Sequence, residues 1–235
     1  MFCISRFCFG LMLFILLSVP VEGQRQSFVT LFDGSTLKGW HYGTGKTAQH
    51  FTGTSTPDQR FYVKGGAIVL ADKDNKGKRG TQTLWCDRLF EKDFILKFEF
   101  RATQEATATF LVLNRSFDVA DFVRRKDRYR GNLKKFKNDG WNEIVVTVKN
   151  TAIVHNRRLG SSDRLKVVYR DGNVTAELNG KTIDPNQIAI HVEASITCNG
   201  ESLFPHRFAV GRSGRIGIQS GSGKIEFRNL RFQEW

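Results

Sequence analysis

Hydrophobic and polar residues alternate along most of this chain with a period of two. In the stretch from Phe94 to Arg101, the residues Phe94, Leu96, Phe98 and Phe100 share one phase, and Lys97, Glu99 and Arg101 share the other. Successive side chains of a strand point to opposite faces, so this spacing predicts a strand with one wet face. The same alternation recurs at Ile144, Val146 and Val148 against Glu143, Thr147 and Lys149, and at Leu165, Val167 and Tyr169 against Lys166 and Arg170. Further strands are predicted at Phe61 to Leu70, Thr109 to Leu113, Asn173 to Leu178, Gln187 to Thr197, Arg215 to Gln219 and Lys224 to Phe232. Asp171-Gly172 and Asn179-Gly180 are turn pairs that tolerate positive φ, and each is predicted to close a tight hairpin. In the last strand Ile225 and Phe227 keep one phase while Leu230 and Phe232 keep the other, which predicts a bulge near Arg228-Asn229. No long helical pattern competes; Phe117 to Arg130 reads as a short helix or a structured loop.

Many strands, each wet on one side and joined by glycine turns, predict an all-β antiparallel sandwich. Phe94, Phe98, Val146, Ile216 and Phe227 are then expected to meet in one core between two sheets. Ala71 to Gly80 and Asn156 to Arg164 read as polar loops, the first of them mobile. No linker or repeat divides the chain, so a single domain over 24–235 is expected.

The start of the chain reads as a signal peptide over 1–23. Arg6 gives a positive beginning, Phe7 to Val19 is an apolar run of 13 residues, and Val21-Glu22-Gly23 ends on a small residue suited to cleavage. A run of this length falls short of the ~18 residues of a membrane span, so no transmembrane span is expected in the mature chain. An uncleaved anchor is the alternative. The expected location is the periplasm or the extracellular space.

Export changes the meaning of the cysteines. Of four, Cys3 and Cys8 leave with the leader, and Cys86 and Cys198 remain either as one disulfide or as two buried thiols. No CxxC pair or HExxH run is present, and Cys86 has no neighbouring histidine to activate it. No motif names a cofactor; a divalent metal stays open. With 4 Pro against 22 Gly and 20 Phe, proline-rich and collagen-like scaffolds are excluded.

The net charge of +13 is concentrated between Arg124 and Lys137, where Asp127 is the single acid among eight basic residues. This segment, 124–137, reads either as a solvated basic loop or as a seat for an acidic polysaccharide, with Tyr129 and Phe136 as stacking surfaces. Nucleic acid is not an expected partner, because no helix-turn-helix, zinc-finger or RNP signature accompanies the charge.

Five segments, in order, resemble one family. Leu31-Phe32-Asp33-Gly34 with Leu37-Lys38-Gly39-Trp40, then Val63 to Leu70, Asp93-Phe94 with Phe98-Glu99-Phe100-Arg101, Trp141-Asn142 with Asn179-Gly180, and Gly214 to Gln219 followed by Glu226 to Leu230 are similar to the 3-keto-disaccharide hydrolase domain family of exported bacterial proteins. The resemblance implies a concanavalin A-like jelly roll of two curved antiparallel sheets, one of them concave and able to hold a carbohydrate ligand. It also implies chemistry on 3-keto glycosides, in which a base removes the C2 proton, the C1 substituent leaves, and water then adds to the enone. Such a site needs a base, an electrophile at the ketone oxygen and a donor for the leaving oxygen.

Several residues are candidates for those roles. Glu99 and Arg101, two apart on one wet face, read either as the base and the ketone-polarising group or as a structural ion pair. Arg115, Arg215, Gln219, Glu226 and Arg228 are candidates for binding sugar hydroxyls, although Arg228 with Asn229 also suits a bulge. His191 and Glu193 can form an acid/base or metal-binding pair. Trp40 and Trp141 read as core or turn anchors.

The chain departs from the family pattern at three places. Thr107-Ala108-Thr109 and Leu113-Asn114-Arg115 stand where an N-S-G run and an arginine are usual, the basic segment replaces an E-x-Q strand, and Ser220-Gly221-Ser222 replaces acidic or histidine-bearing residues. The functions that follow are a 3-keto glycoside hydrolase or lyase, a carbohydrate-binding sandwich without catalysis, and an adhesion module for acidic polymers.

Overall fold

The computed structural model describes residues 27–113, 115–118, 133–154, 157–170, 173–203 and 208–235. The expected leader, the greater part of the basic segment, Asp171-Gly172 and residues 119–130 of the predicted Phe117 to Arg130 element lie outside the described residues.

All strand pairings are antiparallel, as the alternation predicts. Among the described residues, the larger sheet has ten strands. Its main path runs Glu201–Ser202, Ile188–Cys198, Asn142–Val154, Phe94–Ala102, Ile225–Glu234, Ala67–Leu70 and Phe61–Lys64. The smaller sheet has, among the described residues, six strands in the order Gln49–Phe51, Trp40–Tyr42, Thr83–Cys86, Ile216–Gln219, Thr109–Val112 and Arg115–Asp118. Phe117, expected in a helix or loop, therefore belongs to an edge strand and is buried. A separate three-stranded sheet, Leu165–Arg170, Asn173–Leu178 and Lys181–Ile183, adds to the two sheets expected.

The core lies between the two large sheets. Phe94, Leu96, Phe98, Phe100 and Phe227 of the larger sheet and Leu84, Phe110, Val112, Ile216 and Ile218 of the smaller one form a single buried cluster. The Phe98 and Phe110 rings join the layers with centroids 4.3 Å apart. All five residues expected to meet in the core are within it. The Phe94–Ala102 strand and the start of Asn142–Val154 bury every second side chain, and the intervening residues of two sheets that share a core are directed away from it, on opposite sides of the sandwich.

The expected bulge is present. Register slips between Arg228 and Arg231, and Asn229 takes φ 55°, a left-handed conformation that asparagine tolerates better than most residues. Asn179 and Gly180 both have positive φ, at 53° and 79°, and turn the chain from Leu178 into Lys181. The polar stretch after Leu70 is tied down by Arg60, whose guanidinium donates to the carbonyls of Asp72 and Lys78. Among the described residues, no helix is long and apolar enough to cross a membrane.

Candidate functional site

The wet face of the Phe94–Ala102 strand holds two crossed ion pairs. Register places Arg101 opposite Glu226 and Glu99 opposite Arg228, so each carboxylate meets a guanidinium on the neighbouring strand. Arg101 Nε donates to Glu226 at 2.7 Å, and Lys224 Nζ lies 3.1 Å from the other oxygen of the same carboxylate. Burial alone would raise the Glu226 pKa, but hydrogen bonds from Arg101 and Lys224 outweigh it and leave the carboxyl below its ordinary value. Glu99 accepts from Arg228 Nε at 2.5 Å and from the Asn229 amide at 3.1 Å. Both guanidiniums also lie over the half-buried Trp141 ring, 4.9 Å from its centroid for Arg101 and 3.9 Å for Arg228. Trp40, by contrast, is fully buried and donates its indole N–H to the Leu31 carbonyl.

Arg215 and Gln219 are elsewhere. They flank Gly217 at two-residue spacing on the outer face of the smaller sheet, the opposite side of the sandwich from Glu99 and Arg101. The structure thus divides the sequence candidates between two faces. Arg115 belongs to neither group: it is exposed at the end of an edge strand and paired with core-facing Val112. His191 is exposed opposite Thr151, while Glu193 is buried and engaged by Arg158 and the Thr151 hydroxyl.

The outer face of the smaller sheet carries residues that sequence reasoning passed over. Across adjacent strands, His50, His41, Trp85, Gly217, Leu111 and Ser116 form one continuous row of register partners. Trp85 rests on Gly217, where a Cβ would lie only 2.7 Å from its ring. Asp87 follows the end of the Thr83–Cys86 strand, and its Oδ1 lies 2.6 Å from His41 Nδ1 and 3.0 Å from His50 Nδ1. Gln219 donates to the Thr83 hydroxyl, leaving its amide oxygen to accept. Arg215 donates to the carbonyls of Cys86 and Asp87, and the Asp87 N–H donates to Gly39, so the turn presenting the carboxylate is held from both sides.

A local signal for this row does exist. Leu84 and Cys86 alternate with Trp85, and Trp40 and Tyr42 with His41, so strand alternation alone sets Trp85 and His41 on the face away from the core, where His41 is nonetheless covered. A large aromatic plate beside hydrogen-bonding and titratable groups, on an open sheet face, suits a sugar ring, which has one apolar face and a rim of hydroxyls.

The family model described as the 3-keto-alpha-glucoside-1,2-lyase-like domain matches residues 27–233. Comparison with curated proteins finds no match. Among solved structures, a glycosyl hydrolase candidate from Parabacteroides distasonis is similar at 13% identity over 88% of this chain and 94% of that one, with a TM-score of 0.51, and shows the shared fold. Two further likenesses are to a Bacillus licheniformis beta-glucanase, at 10% identity over 91% of this chain and all of that one with a TM-score of 0.39, and to a Bacillus subtilis carbohydrate-binding module, at 10% identity over 85% and 98% with a TM-score of 0.34.

Proposed function

The chain belongs to the 3-keto-alpha-glucoside-1,2-lyase-like domain family, and from that premise we propose that it cleaves 3-keto glycosides on the outer face of its smaller sheet. The family carries a carbohydrate-related function. The finer reaction starts from a sugar already oxidised at C3. A base takes the C2 proton, the C1–O bond breaks, the departing oxygen takes up a proton, and water added across the resulting double bond completes net hydrolysis.

One observation carries the choice of face. Trp85, Gln219, Arg215 and the His41, His50 and Asp87 group are gathered on adjacent strands, so an aromatic plate, amide and guanidinium donors and titratable groups can reach one sugar together. Trp85 would carry the apolar face of the ring, with Gln219 and Arg215 at its hydroxyls. A second reading places the base at Glu99 with Arg101 polarising the ketone, on the larger sheet. It is favoured by the half-buried Trp141 ring beside both residues' ion pairs. The apolar run from Phe7 to Val19, behind Arg6, supports export as the setting for either.

The test is incubation of the mature protein with a panel of 3-keto glycosides, following release of the aglycone. Turnover that falls in Trp85→Ala and persists in Glu99→Gln is the expected result; the reverse ranking moves the centre to the larger sheet. Sugar binding with no turnover by wild type would replace the hydrolase reading with that of a binding module.

A further inference from the structure

The three titratable groups beside Trp85 have the composition and spacing of a metal site. His41 and His50 are direct register partners on neighbouring strands, and Asp87 reaches the same point from the end of a third. One ligand atom from each of the three falls within 4.8 Å of the other two. No other such group of three occurs among the described residues, and His191 with Glu193 is not part of one. The imidazole centroids are 5.0 Å apart. The Nδ1 atoms of both histidines approach the same Asp87 oxygen, at 2.6 Å and 3.0 Å, so the three side chains converge on one point.

We infer that His41, His50 and Asp87 bind one divalent first-row transition metal ion, whose remaining positions take the ketone and adjacent hydroxyl of a 3-keto sugar. Two imidazole nitrogens and one carboxylate oxygen suit zinc, cobalt, iron or manganese better than calcium or magnesium, which prefer oxygen. Three protein ligands leave the coordination sphere open, as a substrate-binding ion requires. The asymmetry of exposure agrees. The His41 side chain is 3% exposed and forms the floor, whereas those of His50 and Asp87 are 60% and 38% exposed and leave solvent access. The backbone that carries the carboxylate is held on both sides, because Arg215 donates to the Asp87 carbonyl and the Asp87 N–H donates to the Gly39 carbonyl.

Oxygens on C2 and C3 of a 3-keto sugar form a five-membered chelate with such an ion. Register places Trp85 directly next to His41, so a ring stacked on the indole presents one edge to the ion. The sugar half of this inference rests on the proposed function; the ion half does not.

The experiment uses the untagged mature protein, stripped with chelator and titrated with Co²⁺ and Zn²⁺ in the absence of sugar. Calorimetry should show one ion per chain, and Co²⁺ should develop visible d–d absorption. His50→Ala and Asp87→Asn should weaken binding by roughly 100-fold or more, since losing a ligand costs at least as much as losing its outer support. His191→Ala should bind as wild type does. His50 is largely exposed, so its replacement is compatible with folding, checked by an unchanged melting temperature. Absence of stoichiometric binding, or binding that survives His50→Ala, overturns the site. Wild-type turnover of a 3-keto glycoside by fully stripped protein overturns the ion's part in the chemistry and leaves the proposed function standing. A bound ion with no turnover does the opposite.

Discussion

The Trp85 indole lies against Gly217 so closely that a Cβ there would meet Cε3 at 2.7 Å and Cζ3 at 2.8 Å. The glycine is thus the bed on which the aromatic plate rests. Gly217→Val should lift the indole and weaken carbohydrate binding about tenfold, or about 1.4 kcal/mol, close to the effect of Trp85→Ala. Calorimetric titration with glycosides checks this, with near-UV circular dichroism to confirm folding. Wild-type affinity in Gly217→Val alongside lost affinity in Trp85→Ala would show that the bed does not matter.

The Glu99 and Arg228 pair is partly exposed, with side chains 27% and 35% accessible. Its loss in Glu99→Gln should cost only about 0.2–1 kcal/mol, read as a small fall in the urea midpoint. If the smaller sheet holds the chemistry, turnover should stay within about twofold of wild type, a barrier change of about 0.4 kcal/mol. Abolished turnover with an unchanged midpoint is the contrary result.

Acid should weaken the fold over a defined window. Asp33 is brought from its ordinary 3.8 down to about 2, chiefly by backbone N–H donation from Thr36 and Ser35. A carboxyl lowered on folding favours the folded state above its unfolded pKa, and that contribution is lost as pH falls towards the folded value. Here the loss runs from about pH 4 to about 2. Asp163, held low mainly by Arg157 and Asn179, and Glu226 act with the same sign. Urea midpoints measured down this range should fall, and Asp33→Asn, which keeps an acceptor for the turn, should fall less steeply. Parallel curves for variant and wild type would remove Asp33 from the account.

Cys86 and Cys198 are free and buried in different sheets, not joined as a disulfide. Burial pushes their thiols up to about 11 and about 12, so both stay protonated and unreactive near neutral pH. Iodoacetamide should leave the native protein unmodified at pH 8 and alkylate both after denaturation, as intact mass would show. Rapid modification of native protein, or an oxidised pair, contradicts this.

Strand phase was legible in the sequence because it is a local property. Phe94, Leu96, Phe98 and Phe100 face the core wherever their strand is placed, and the slip from Phe227 to Leu230 marks the bulge without reference to any partner. Hairpin closure at Asn179-Gly180 depends on two residues and was equally plain. The family, too, could be read from short motifs that keep their order along the chain.

Which wet faces belong together was decided by the tertiary structure. Glu99 and Gln219 have the same alternating signature, yet they lie on opposite sides of the sandwich, because two sheets that share a core direct their outer faces apart. His41 and Asp87 are separated by 46 residues and touch only through the pairing of Trp40–Tyr42 with Thr83–Cys86. A one-residue slip in that pairing would disrupt the row of His50, His41 and Trp85. Register between distant strands is fixed by the packed core and not by local spacing, so side-chain chemistry that depends on it emerges only in the folded chain.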